Sequence, residues 1–191
     1  TVHIYSDLSQ HKTYIAAVAA SLTWICGMTA MAVYGTVSYI KIRRLLKGSE
    51  RCEGNVFTSD RITNAFIIGI FRPRIYIPSV FDDSKKAFIL KHESVHLKRG
   101  DHIVKLIMFA ALCIHWFNPL VWLSFKLCER DMEMSCDEAV TKNMDRKGRA
   151  DYSQALLEIS SGKTAMFTAC FSESSTKQRI KNVLNFRKPA V

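Results

Sequence analysis

Residues 82–100, DDSKKAFILKHESVHLKRG, decide how the rest of the chain is read. The Asp82-Asp83-Ser84 cluster supplies a helix N-cap, Lys98 and Arg99 complement the dipole of the last turn, and Gly100 suits the residue just past the end. Phe88, His92, Val95 and His96 recur at helical spacing, so both imidazoles share one face. Histidines four apart bring two ring nitrogens to one point, and Glu93 lies on the neighbouring face. A helix with this His-Glu-x-x-His pattern can hold Zn2+ at Zn–N distances of about 2.0–2.1 Å and offer Glu93 as general base to a water beside it. The plainer reading is a pair of surface or core histidines with an unrelated glutamate.

A catalytic zinc needs a third protein ligand, and two residues can supply it. Glu133 and Asp137 are four apart on one face of a helix, so Glu133 could bind the metal while Asp137 accepts a hydrogen bond from a ligand imidazole. His102 is the other choice, six residues beyond His96. In the pattern that uses such a histidine a glycine bends the chain three residues after the second histidine, and here Arg99 holds that place. The spacing therefore favours Glu133. Cys136, between Glu133 and Asp137, reads as a small buried residue. His115 could donate a hydrogen bond to a tetrahedral oxyanion, although a lone histidine in an apolar run is more often a core residue. Arg179 could do the same or bind phosphate, with a solvated helix face as the plainer reading.

From Thr13 to Ile40 there is no charged residue, a run of 28. A bilayer core needs about 20, so residues 13–40 are expected to form a transmembrane helix with some tilt, after an extracytoplasmic segment 1–12. Lys41, Arg43, Arg44, Lys47 and Arg51 follow it, against Lys12 alone before it, which places residues 41–191 in the cytoplasm as a membrane-apposed domain. The chain opens on Thr1 and carries a net charge of +10. It reads as a piece of a longer protein, with the basic excess turned to lipid; no nucleic-acid-binding signature accompanies that charge. The six cysteines show no regular pairing and read as reduced thiols.

Between these segments, 62–80 is rich in Ile and Phe, and two strands near 65–70 and 74–77 form a β-hairpin around Arg72-Pro73. That hairpin either covers the core or pairs with an extended substrate. Leu106–Phe125 is a second uncharged run, 20 residues long. Asn118-Pro119 begins a new helix within it, so residues 106–125 form two helices broken at 115–118. The pair either dips into the bilayer and returns or packs over the active site. Helices are expected near 152–161, stopped by Gly162, and near 177–186, ending before Pro189.

The segments HESVH (92–96), KRGDH (98–102), HWFNP (115–119) and ERDMEMSCDEAV (129–140), with NAF…FRPRIYIP (64–78) and FSESSTKQRIKNVL (171–184), resemble the metallopeptidase part of the BlaR/MecR-type antirepressor sensor-transducers, a gluzincin family. The resemblance implies a mainly α membrane protein, with zinc on His92, His96 and Glu133, Glu93 catalytic and Asp137 behind the ligands. It implies a multi-pass protein of a bacterial cell membrane, in which an extracellular sensor domain outside this segment activates a cytoplasmic protease. The cytosolic substrates it implies are a DNA-binding repressor and the chain itself. Two other readings use the same residues: a signal-relaying module with structural zinc, and a housekeeping quality-control protease.

Overall fold

The computed structural model describes residues 2–161 and 169–185. Helix α1 (Val2–Leu45) is a single rod that carries Arg43 and Arg44 in its last turn. Its part from Gln10 to Leu45 is long and apolar enough to cross a membrane. The span expected over 13–40 lies within this helix, and residues 2–12 continue it as helix.

Four short strands follow: β1 (Glu50–Glu53), β2 (Val56–Ser59), β3 (Phe66–Ile68) and β4 (Arg74–Pro78). The expected hairpin is present, with Phe66 opposite Tyr76 and Ile67 opposite Ile75. It belongs to a larger sheet, in the order β1-β2-β4-β3, in which β2 runs parallel to β4. Central β4 alternates its faces. Ile75 and Ile77 turn to Ile89, Leu90 and Leu97 of the next helix, while Tyr76 packs with Leu46 and Ile62. Fully burying each such aliphatic side chain contributes about 1.5–3 kcal/mol, so this small sheet is fixed mainly by what covers it.

Helix α2 (Asp83–Arg99) is capped as its sequence suggests. The Asp82 side chain accepts from the Lys85 N–H, and the Gly100 N–H returns to the carbonyls of His96 and Leu97. Gly100 has φ 71°, the left-handed region, and α3 (Asp101–Ile114) starts at the very next residue. An L side chain in that region costs about 1–2 kcal/mol. Gly100→Ala is therefore expected to lower the melting temperature by roughly 2–8 °C in a thermal unfolding scan, since about 1 kcal/mol moves a chain of this size by about 2–4 °C. No change would mean the α2–α3 junction relaxes freely.

Residues 115–118 make a corner, and Asn118 caps α4 (Pro119–Thr141) by accepting from the Leu120 N–H. The apolar run is thus two helices, as its Asn-Pro pair suggested. Helices α5 (Arg146–Ser161) and α6 (Ala169–Leu184) both begin earlier than expected. Asp145 starts α5, its carboxylate accepting from the Gly148 N–H at 2.7 Å. The expected boundaries at Gly162 and Pro189 lie outside the described residues. Val140, Tyr152, Leu156 and Val183 form a core joining α4, α5 and α6, on which Phe88 and Val95 of α2 pack.

Candidate metal centre

Helix α2 presents His92 and His96 on its buried face, and α4 crosses it with Glu133, Cys136 and Asp137. The two Nε2 atoms lie 3.1 Å apart. Across from them, Glu133 Oε2 is 3.4 Å from His92 Nε2 and Oε1 is 3.5 Å from His96 Nε2. A tetrahedral site with ligand bonds of about 2.0–2.1 Å has edges of about 3.3 Å, so the 3.1 Å between the two Nε2 atoms fits a pair of zinc ligands, with one Glu133 oxygen near each.

The hydrogen bonds behind the rings settle which nitrogen faces the centre. Tyr152 donates its hydroxyl proton to Asp137 Oδ1 at 2.7 Å. Its oxygen is then left to accept from His92 Nδ1, 2.8 Å away. His96 Nδ1 donates to Asp101 Oδ2 at 2.6 Å. With both Nδ1 atoms donating, both Nε2 atoms carry lone pairs toward the same point, which is the tautomer a metal ligand requires. Asp101 reaches His96 because Gly100 turns the chain back at once.

Arg179 of α6 completes the surroundings. Its guanidinium donates to both oxygens of Asp137, at 2.7 and 2.8 Å, and its Nη1 is 3.1 Å from Glu133 Oε2. Burial alone would push Glu133 up, but the adjoining His92 and His96 imidazoles and the Arg179 charge hold its carboxyl far below the usual range. Burial opposes protonation of both imidazoles, and the surrounding acceptors reverse this: His92 lies well above its ordinary value and His96 is raised to about 10. The acceptors around the two imidazoles thus favour positive charge in this pocket. Asp137 is lowered because Arg179 and His92 outweigh its burial, and burial beside Asp137 pushes the Tyr152 phenol far up. Glu93 is half-buried, and burial lifts its carboxyl while His92 and His96 pull it down.

Of the residues singled out in the sequence, His92, Glu93, His96, Glu133 and Asp137 converge here. His115 does not. It is exposed, its ring faces Phe117, and fourteen residues of helix place it about 20 Å from Asp101. Among the described residues no hydrogen bond or ion pair ties His102 to the centre, and its buried Nδ1 has no hydrogen-bond partner. Arg179 corrects the solvated-face reading, because its side chain is only 13% exposed and is held by two carboxylates. Cys136 is fully buried, and its thiol donates to the His92 carbonyl at 3.3 Å. Its sulfur also lies within 4.8 Å of a ligand atom of each histidine, closer to the centre than a bland packing residue need be. Asp101 and Tyr152 were missed; Asp101 stood in the KRGDH segment, whereas nothing local marked Tyr152.

Comparison with known proteins bears on this arrangement. A family model described as BlaR1 peptidase M56 matches residues 5–183. The chain is 30% identical over 210 residues to the regulatory protein BlaR1 of Bacillus licheniformis, covering 95% of this chain and 35% of that protein. It is 28% identical over 136 residues to the methicillin resistance mecR1 protein of Staphylococcus aureus, covering 65% of this chain and 23% of that protein. The chain spans about a third or less of the length of these relatives.

Proposed function

The chain belongs to the BlaR1 peptidase M56 family, a metallopeptidase family, and on that premise we propose a membrane-anchored zinc endopeptidase. His92, His96 and Glu133 hold the metal and Glu93 is the general base. The observation that carries this reading is the pair of inward-facing Nε2 atoms, 3.1 Å apart, with the Glu133 oxygens opposite. Zinc, when bound, supplies Lewis acidity that polarises a carbonyl and makes water nucleophilic near neutral pH. The residues of the chain do the rest. Asp101 and Tyr152, the latter through Asp137, fix the imidazoles by their Nδ1 protons, and Arg179 holds Glu133 and Asp137 in place. Glu93, whose carboxylate makes no hydrogen bond among the described residues, is free to take a proton from water and pass it to the leaving amine.

The names of the relatives, a regulatory protein and a methicillin resistance protein, support placing this activity in signalling linked to antibiotic resistance. The substrate is then a cytosolic repressor, the chain itself, or both. The enzyme would sit in a bacterial cell membrane as a multi-pass protein, its site on the cytoplasmic side and its sensor domain elsewhere in the protein.

The position of Cys136 favours one second reading, a closed structural site in which the thiolate replaces water as a ligand. Zinc content per chain separates the two. Wild type is expected to hold about one zinc, lost from His96→Ala and Glu133→Ala but kept by Cys136→Ala and His102→Ala. Loss from Cys136→Ala with retention in Glu133→Ala would replace the catalytic reading by the structural one. Well-folded wild type without zinc would overturn both. Chelation is expected to stop cleavage of the chain or of a co-expressed repressor, and added zinc to restore it.

A further inference from the structure

We propose that α3 and α4 form a re-entrant hairpin in the bilayer, lying beside α1 with its 115–118 corner among the acyl chains. This rests on the reading that α1 crosses the membrane. The register between the helices gives the depth. A side chain on Gly35 would lie 2.5 Å from Phe109 Cε1, and one on Gly27 would overlap the Trp116 indole. Eight residues down α1 thus match seven residues up α3, and the two helices run antiparallel in close contact. Continued from Phe109 back to Lys105, the same register reaches residue 39 of α1, beside Lys41. Lys105 closes the uncharged run at the foot of α3, so this foot falls near the level where α1 becomes charged. The corner lies fourteen residues from Lys41 along α1, about 21 Å, against a hydrocarbon core of about 30 Å.

The corner is also built for a solvent that offers no hydrogen bonds. Breaking a helix frees backbone groups, and in hydrocarbon these must find partners within the protein. Trp24 Nε1 donates to the Ile114 carbonyl at 2.7 Å and Trp122 Nε1 to the Trp116 carbonyl at 2.8 Å. The Asn118 N–H donates to the His115 carbonyl at 2.9 Å, and the Asn118 side chain caps Leu120. Trp116 Nε1 in turn reaches the Trp24 carbonyl at 3.3 Å. Around this corner the outward surface is largely apolar, with Leu106, Ile107, Ile114, Phe117, Leu120 and Leu123 all exposed and His115 the polar side chain exposed among them. An aqueous surface of that extent would be a marked liability. Continuity with α1, whose own exposed face is equally apolar, identifies the occupant as lipid.

All three tryptophans, Trp24, Trp116 and Trp122, lie at this corner, so fluorescence reads it directly. The full chain is reconstituted in phosphatidylcholine vesicles whose acyl chains carry bromine at a deep or a shallow carbon. Trp24→Phe leaves the two hairpin indoles, and the double variant Trp116→Phe/Trp122→Phe leaves the α1 indole alone. Deep bromine is expected to quench both variants more than shallow bromine, and aqueous iodide to leave both bright. If Trp24 is quenched by lipid while the hairpin pair is quenched by iodide, the hairpin lies in water and the proposal fails, with α1 still spanning. If neither quencher reaches the hairpin pair, a second copy of the chain covers it and the lipid assignment fails. If Trp24 itself escapes the lipid quencher, the reading of α1 fails first. Unsubstituted protein guards against misfolded variants: it should lose most of its emission to deep bromine, and loss of no more than the Trp24 share would overturn the hairpin.

Discussion

Glu93→Gln is expected to retain zinc and fold while peptide hydrolysis falls by about 10²–10⁴-fold, the usual contribution of a general base. The substitution keeps the shape and polarity of the side chain but removes its ability to accept a proton. Little else should change, because no hydrogen bond ties the Glu93 carboxylate to the protein among the described residues. The metal ligands are braced by Asp101, Tyr152, Asp137 and Arg179, none of which depends on residue 93. The measurement is the cleavage rate of the chain itself or of a co-expressed repressor, normalised to zinc bound. Hydrolysis within a few-fold of wild type at equal zinc would remove Glu93 from the chemistry and return the site to a structural role.

Arg179→Met should be the most damaging single change away from the metal ligands. The guanidinium binds Asp137 through two hydrogen bonds and also approaches Glu133. Removing one partner of a buried ion pair costs about 3–5 kcal/mol, because the remaining charge stays buried without compensation. That is a large part of the roughly 5–15 kcal/mol by which a folded domain exceeds its unfolded chain. The melting temperature should fall by roughly 6–20 °C at about 2–4 °C per kcal/mol. Arg179→Lys should be intermediate, since a point ammonium cannot match a carboxylate with a rigid two-pronged donor. Thermal unfolding of the three proteins side by side decides it. A Met variant melting with wild type would mean that α6 does not brace the site.

The parts of this structure legible in the sequence are those whose cause is local. Asp82, Lys98, Arg99 and Gly100 mark both ends of α2, and Asn118-Pro119 marks the break in the second apolar run, because caps and proline act within one turn. The histidine spacing on α2 and the Glu133/Asp137 spacing on α4 could be read from helical geometry alone. Strands β1 and β2 gave no such signal: all four residues of β1 are exposed, so no alternation betrays it, and β2 is fixed by parallel pairing with β4. Arg179 was misread for a related reason. A basic residue on an amphipathic helix looks solvated until the fold brings it to a carboxylate 42 positions away. Tyr152 meets His92 from 60 positions away and was likewise silent. His115 shows the opposite error, a functional residue type that helix length carries away from the chemistry.

Gly100 gives the molecule a fulcrum one residue wide. On one side stands His96, and on the other Asp101, the first residue of a stiff arm about 21 Å long that ends at the Trp116 corner. The two are joined by a 2.6 Å hydrogen bond across the pivot. A swing of that arm that carries the Asp101 carboxylate away by about 1 Å leaves no hydrogen bond at all. His96 then loses the acceptor that fixes its proton on Nδ1 and aims its lone pair inward. A change in the posture of the arm would thereby act on the basicity of a single nitrogen.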